Sequence, residues 1–412
     1  MPPPASTSWF LPPGVLPDAR LLLCSRGLRA FGDGYVSLLL PYYLTLLGYN
    51  ALEIGAVITA TLLGSGLMTF GVGLIAHRYR QRALLEVAAL LMIATGVAFI
   101  WTTDFWPLLL VAAVGTINPS AGDVSVFLPL EHALLVRTVG AEHRTALFAR
   151  YSLVGALIGA LGAQAAALPA LAQQWFALDA RHAVQIMFML YGACGVLCLL
   201  LYRRLSPQLE ARADAPVTPL GKSKRVVYTL AAVFSLDSFA GGFAVQSLLA
   251  LWLFNRFELS IVTASTIFFW TGILGAFSQL AAARLARRIG LINTMVFTHL
   301  PSSVFLILVP LMPTLPLALL FLMLRSALSQ MDVPARNSYV MAVVTPGERP
   351  AAASVTAVPR SLAAAVSPML AGWLLTLSPF GWPLVICGGL KIVYDLLLLA
   401  MFRRVRPPEE SD

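Results

Sequence analysis

The feature that most constrains this chain is a run of about 20 apolar residues that recurs along its whole length. A helix that crosses a bilayer needs a segment of this length and character, and the spacing of the runs leaves no room for a separate soluble domain. Of the 412 residues, 58% are hydrophobic and only 11% are charged, which is too little charge to cover a soluble protein. Lipid is therefore the main solvent, and we predict an all-α membrane protein.

About twelve of these runs are long enough to cross a membrane. The predicted spans are 20–46, 51–76, 83–102, 106–131, 144–168, 183–203, 226–253, 258–283, 291–312, 314–341, 351–377 and 381–402. The longest polar connection runs from 204 to 225 and contains Pro207, Pro216 and Pro219. We predict an N-terminal six-helix bundle at 1–203, a central cytoplasmic loop at 204–225 and a C-terminal six-helix bundle at 226–412.

Basic residues are distributed unevenly over the connections. With both termini placed in the cytoplasm, only Arg181 and Arg256 lie outside, whereas clusters after the second, sixth, eighth and twelfth spans lie inside. Lys and Arg are enriched in cytoplasmic loops, so this distribution predicts a multi-pass protein of the inner (plasma) membrane with both termini cytoplasmic. The formal net charge of +9 thus orients the chain in membrane lipid, and we expect no binding to nucleic acid.

The second half of the sequence repeats the first at a shift of about 205–210 residues. Residues 31–35 fall on 239–243, Pro129 falls on Pro334, and 143–144 fall on 348–349, in that order. Because the shift covers six helices, an even number, the two halves have the same orientation in the membrane. We therefore predict two parallel, pseudo-symmetric six-helix bundles.

A six-plus-six parallel repeat, a basic loop after the second span, its echo after the eighth and a long central loop resemble the major facilitator superfamily of transporters. The resemblance covers essentially the whole chain. Gly73, Arg78 and Arg82 match the family's loop motif, but His77 stands where the family has an acid. The corresponding loop after the eighth span keeps Arg288 and again lacks the acid. The resemblance assigns Arg78 and Arg288 to the cytoplasmic gate, and the missing acids predict that this gate closes differently.

Ionisable side chains at span depth are candidate functional groups, because each is costly there unless it is paired or hydrated. The resemblance implies that spans 1, 4, 7 and 10 line the central cavity, and the sequence places Asp33, Asp123, Asp237 and Asp332 in them. In span 1, Arg29 precedes Asp33 by four residues, so the two side chains can neutralise each other. A structural ion pair and a role in transport both remain open for this pair.

Span 10 carries a polar stripe. The spacings of Arg325, Ser329, Asp332 and Arg336 place all four on one helix face. Such a stripe is hard to accommodate against lipid and predicts the wall of a hydrated cavity.

Two further pairs of charges follow from the repeat and from the resemblance. Glu131 in span 4 is the counterpart of Arg336, and their opposite signs predict a salt bridge between the halves that closes the cytoplasmic gate. Lys391 and Asp395 lie in span 12, which the resemblance places outside the cavity, so we predict a structural role for them.

No nucleotide-binding loop, zinc spacing or nucleophile motif is present in the sequence, so we predict a protein that is not an enzyme and needs no cofactor or metal. The predicted substrate and proton site is Arg29, Asp33, Asp123, Asp237, Arg325, Ser329 and Asp332.

The leading hypothesis is a monomeric secondary transporter, a proton-coupled exporter of a small polar or amphiphilic solute that works by alternating access. A buried carboxylate such as Asp33 or Asp237 would carry the proton, and export is preferred on expectation for bacterial members of the family. An ion-coupled importer or a uniporter of the same fold remains open. So does a non-transporting receptor or assembly factor on a transporter scaffold.

Overall fold

The computed structural model describes residues 14–75, 78–120, 125–140, 143–209, 221, 223–345 and 348–403. Within these ranges the regular structure is helical, and no strand occurs. The α-helices are α1 (Asp18–Leu46), α2 (Ala51–Ile75), α3 (Gln81–Trp101), α4 (Phe105–Val114), α5 (Phe127–Leu135), α6 (Arg144–Ala165), α7 (Leu168–Phe176), α8 (Ala180–Arg203), α9 (Lys224–Gly242), α10 (Gln246–Phe257), α11 (Ile261–Ile289), α12 (Leu291–Leu311), α13 (Leu315–Leu328), α14 (Asp332–Ala342), α15 (Arg349–Leu377) and α16 (Trp382–Phe402).

Ten helical segments of the described chain are long and apolar enough to cross a membrane. The α1 helix has the length of a crossing but a more polar composition, with Arg26, Arg29 and Asp33 in its interior. Helices α4 and α5 together form the fourth crossing. The predicted all-α fold with twelve membrane-spanning segments is confirmed. Helix α8 ends at Arg203 and α9 begins at Lys224, and the predicted division of the chain at 204–225 stays a prediction.

Within the described residues, helix breaks interrupt span 4 between α4 and α5, span 7 between α9 and α10, and span 10 between α13 and α14. In span 4, the side chain of Asn118 accepts hydrogen bonds from the backbone N–H and the hydroxyl of Ser120, at 3.1 and 2.7 Å. Pro119 between them cannot donate to a helical ladder. The sequence predicted one helix face for the polar stripe of span 10, whereas the structure ends α13 at Leu328 and begins α14 at Asp332, with Pro334 in the first turn of the new helix.

The first and seventh spans pack in the same way in their two halves. Gly34 of α1 lies so close to α6 that a Cβ atom would overlap the backbone of Gly159. Its repeat counterpart, Gly242 of α9, lies equally close to the backbone of Ala364 in α15. Small residues permit this close approach of membrane helices. The repeat in the sequence is therefore also a repeat in helix packing.

Hydrogen bonds join the two halves of the chain. The hydroxyl of Ser247, at the start of α10, donates to the carbonyl oxygen of Pro119 in span 4 at 2.9 Å. The backbone N–H of Met369 in α15 donates to the hydroxyl of Thr59 in α2, also at 2.9 Å. These bonds connect span 7 to span 4 and span 11 to span 2.

Candidate functional site

Asp237 is the centre of a buried charge network in the C-terminal half. Its carboxylate accepts hydrogen bonds from the ammonium of Lys391 at 2.6 Å and from the guanidinium of Arg336 at 3.1 Å. Arg336 also forms a salt bridge with Asp332, at 3.3 Å. Asp237, Asp332 and Arg336 are each no more than 6% exposed. Buried opposite charges attract each other strongly, but a buried charge that loses its partner destabilises the protein.

The network continues to the outer spans through His299 of α12. Its Nδ1 lies 3.0 Å from a carboxylate oxygen of Asp395, and its Nε2 lies 3.3 Å from the ammonium of Lys391. A ring that donates from Nδ1 to Asp395 can accept from Lys391 at Nε2. Lys391 and Asp395 thus bind Asp237 and His299, and Lys391 lines a cavity within the C-terminal half. The prediction that span 12 lies outside the central cavity stays a prediction. The helix face that carries both residues packs against α9 and α12 instead of lipid.

A cavity of about 140 Å³ lies beside this network. Its lining comes from α9, α12, α13, α14, α16 and the break in span 10, and consists of Asp237, His299, Ser302, Ser303, Leu306, Arg325, Ser329, Gln330, Asp332, Val333, Arg336 and Lys391. Arg325 lies about 15 Å along the axis of α13, which is near the middle of a bilayer core about 30 Å thick. The polar stripe of span 10 therefore faces one cavity at membrane depth.

Arg325 and Ser329 are among the donors of this lining that remain uncommitted. Among the described residues, no carboxylate lies within salt-bridge distance of Arg325, and the hydroxyl of Ser329 donates to none of them. The acids that line the cavity, Asp237 and Asp332, are already paired. The lining thus combines a satisfied ionic network with a guanidinium that has no counter-charge.

The N-terminal half contains a second buried cluster, centred on Glu131. Its carboxylate accepts hydrogen bonds from Arg29 and Tyr151, and from Tyr202 and Ser25 at 2.6 and 2.7 Å. Glu131 is fully buried, and Arg29 is only 2% exposed. Four donors from spans 1, 5 and 6 therefore saturate this carboxylate, and the cluster does not line the cavity.

The predicted salt bridge between Glu131 and Arg336 is not formed in this structure, because each side chain has a partner of opposite charge within its own half. These partners, Arg29 and Asp237, are themselves counterparts in the repeat. Arg29 does not pair with Asp33, since its guanidinium is turned to Glu131. Asp33 is 7% exposed and has neither a hydrogen bond nor a salt bridge with a described residue.

The remaining predicted residues lie away from the cavity or outside the described ranges. Asp123 and His77 fall in the second group. Arg78, in the loop after α2, and Arg288, in the last turn of α11, are both exposed. Their role in a gate stays a prediction.

The sequence matches the family model of the Major Facilitator Superfamily over residues 22–324 and 238–412. A curated relative is the uncharacterized membrane protein YJR124C of Saccharomyces cerevisiae, which is 25% identical over 420 residues. That match covers 93% of this chain and 94% of the yeast protein.

Solved structures of transporters share the fold at low sequence identity. The nucleoside transporter NupG superposes with a TM-score of 0.70 at 16% identity, covering 94% of this chain and all of NupG. A bacterial homologue of the iron transporter ferroportin, in an inward-facing state, gives 0.69 at 16% identity, with 93% and 98% covered. The human organic anion transporter MFSD10 gives 0.63 at 17%, with 93% and 100% covered. The chain therefore belongs to the Major Facilitator Superfamily, and it is a membrane transporter and not an enzyme.

Proposed function

We propose that the protein is a proton-coupled secondary transporter that exports a small polar solute across the inner (plasma) membrane, with both termini in the cytoplasm. The observation that carries this proposal is the charged cavity at membrane depth beside Asp237, Arg325 and Lys391. Ionisable groups at this depth are costly, and they are retained where they face substrates, ions or water. A structural core of the same size is built more cheaply from apolar residues.

The arrangement of the halves supports alternating access. The halves are joined by hydrogen bonds of Ser247 and Met369, each between helices of different halves. Rocking of the halves about the membrane centre exchanges a closed outer face for a closed inner face. The interrupted spans 7 and 10 border the cavity, and broken helices at membrane depth are a common element of transporter binding sites.

Proton coupling is supported by Asp33. An ionised carboxylate at this depth without a partner is costly, and a bound proton removes that cost. Asp33 has no partner among the described residues, unlike Asp237, which has two cations. A carboxylate that is not held by an arginine is free to exchange its proton as the halves move. We therefore assign proton exchange to Asp33, and export follows if the proton and the solute move in opposite directions.

Transport into proteoliposomes tests this function. The purified protein is reconstituted with a lumen that is more acidic or more alkaline than the medium, and uptake is followed for a labelled monocarboxylate, amino acid, nucleoside and lipophilic cation. An antiporter accumulates its solute when the lumen is acidic, because protons leave as solute enters. A symporter, as expected for an importer, accumulates it when the medium is acidic.

The variant Asp33→Asn separates the remaining alternatives. We expect it to lose the dependence of uptake on the pH gradient, whereas Asp104→Asn, at an exposed acid before α4, retains it. Equal, gradient-independent uptake by wild type and Asp33→Asn contradicts proton coupling and indicates a uniporter. No uptake of any solute class, by a protein that remains folded in the vesicles, favours a receptor or assembly factor.

A further inference from the structure

We propose that the cavity binds the carboxylate group of a small organic monoanion, and that Arg325 is its counter-charge. This inference rests on the proposed function only in that the bound solute is the transported one. Binding itself is measured without transport, so the two can fail separately.

The charges that line the cavity indicate the sign and the size of the charge that a ligand would need. Three permanent cations, Arg325, Arg336 and Lys391, face two acids, Asp237 and Asp332. Arg336 and Lys391 are bound to those acids, which leaves one positive charge on Arg325. A monoanion balances this charge, whereas a dianion leaves an excess negative charge and a cation adds to the excess positive one. Uncompensated charge is expensive at membrane depth.

His299 also lines the cavity but does not alter this count. Its Nδ1 is directed to Asp395, which lies behind the lining, and its Nε2 is directed to Lys391. A ring that accepts from Lys391 at Nε2 is neutral, so it adds no charge to the lining.

The uncommitted donors are placed for a carboxylate. The guanidinium of Arg325 presents a planar fork of N–H groups that matches two carboxylate oxygens. The hydroxyl of Ser329, one helical turn further along, donates to no described residue. The hydroxyls of Ser302 and Ser303, in contrast, donate to backbone carbonyls at 3.4 and 3.0 Å. Arg325 and Ser329 thus form one side of the cavity, at the point where span 10 is interrupted.

The size of the cavity limits the ligand. A volume of about 140 Å³ holds several water molecules. Sites for drug-sized molecules are larger, at about 300–1,000 Å³. The cavity therefore holds a carboxylate with a few carbon atoms, either as a whole small acid or as the end of a longer one.

Thermal unfolding in detergent tests the binding. A thiol-reactive dye reports unfolding, because Cys194, Cys198 and Cys387 are buried in the folded protein. The probes are sodium acetate and sodium lactate, compared with sodium phosphate, tetramethylammonium chloride and sodium chloride at the same ionic strength. We expect acetate and lactate to raise the unfolding midpoint of the wild type by about 2–4 °C at concentrations well above Kd, and the other salts to have no such effect.

Variants locate the effect. Arg325→Met removes the charge but keeps the length of the side chain, and we expect it to abolish the shift. Should Arg325→Met not fold, Ser329→Ala serves instead and is expected to raise the acetate concentration needed for a half-maximal shift about fivefold. Arg256→Gln, at an exposed arginine at the end of α10, is the control that retains the shift.

Three outcomes overturn the proposal: stabilisation by phosphate that exceeds that by acetate, stabilisation by tetramethylammonium alone, or an acetate shift that Arg325→Met and Ser329→Ala leave unchanged. Binding of acetate without transport of any solute contradicts the proposed function and leaves this site in place. Transport of another solute class without binding of acetate contradicts this site and leaves the proposed function in place.

Discussion

The two halves of this transporter place an ion pair at the same position of the repeat, with the signs reversed. In the N-terminal half, Arg29 of span 1 binds Glu131 of span 4. In the C-terminal half, Asp237 of span 7 binds Arg336 of span 10. Each pair links the first and fourth helices of its bundle, so the fold conserves the contact while the chemistry at its two ends is exchanged.

The surroundings of the two pairs differ more than the pairs themselves. Glu131 is enclosed by two tyrosines and a serine, and no part of it is exposed. Asp237 has a second cation, Lys391, and lies on the wall of a cavity. The comparison indicates that the same ion pair between two helices can be fully enclosed in one half and line a cavity in the other. Only the pair that lines the cavity can interact with a solute.

The largest expected effect is on stability, from Glu131→Gln. This change leaves the buried guanidinium of Arg29 without its counter-charge, and breaking such a pair costs about 3–5 kcal/mol. Asp237→Asn is expected to cost less, about 1–3 kcal/mol, because Arg336 keeps Asp332, Lys391 keeps His299, and the cavity admits water. The measurement is the free energy of unfolding of both variants in the same detergent.

A double variant controls for effects unrelated to the pair. Arg29→Gln combined with Glu131→Gln removes both charges, and its loss should be smaller than the sum of the two single losses. Equal destabilisation by Glu131→Gln and Asp237→Asn would contradict the distinction between a closed and an open cluster.

The comparison also explains which parts of the site could be predicted. Periodicity placed Arg325, Ser329, Asp332 and Arg336 on one face, and all four line one cavity although the helix is interrupted between them. The partners of each charge could not be predicted in this way. Whether Glu131 meets Arg29 or an arginine of the other half depends on the packing of four helices.

His299 was missed for a related reason. A lone histidine in an apolar span carries a signal of its own, an ionisable group at membrane depth. Its partners, Asp395 and Lys391, lie more than 90 residues away in the sequence. Lys391 was placed in a structural pair because the resemblance puts span 12 outside the cavity. A long, flexible side chain can reach inward from such a helix, and this one does.

Substitutions that disturb helix packing should destabilise the protein equally in the two halves, whereas substitutions in the ion pairs should not. Gly34→Ala and Gly242→Ala each place a methyl group against the backbone of a neighbouring helix, so we expect each to destabilise the protein by about 1–3 kcal/mol. Gly71→Ala and Gly389→Ala are the controls. Nothing lies within 4 Å of an added Cβ at either position, and alanine favours a helix by up to about 1 kcal/mol. Strongly unequal losses for Gly34 and Gly242 would show that the repeat does not extend to packing.

The smallest expected effect concerns Glu348, which lies before α15 and outside the membrane spans. It accepts hydrogen bonds from the backbone N–H of Gly221 and from the hydroxyls of Thr345 and Ser223, at 2.8 and 2.9 Å. These bonds hold the pKa of Glu348 at about 2, below its ordinary value of 4.5. The carboxylate therefore stabilises the fold fully above about pH 4.5, and this contribution is lost as the pH falls toward 2.

The counterpart of Glu348 in the repeat is His143, which cannot act as a carboxylate acceptor, so this contact distinguishes the halves again. We expect Glu348→Gln to lower the unfolding midpoint at pH 7 and the difference from wild type to shrink as the pH is lowered from about 5 to about 3. Glu258→Gln, at an exposed position, controls for the general effect of pH. A difference that stays constant over this range would mean that the three donors stabilise glutamine as well as carboxylate. The central loop would then be held to the C-terminal half by hydrogen bonds alone, without a contribution from charge.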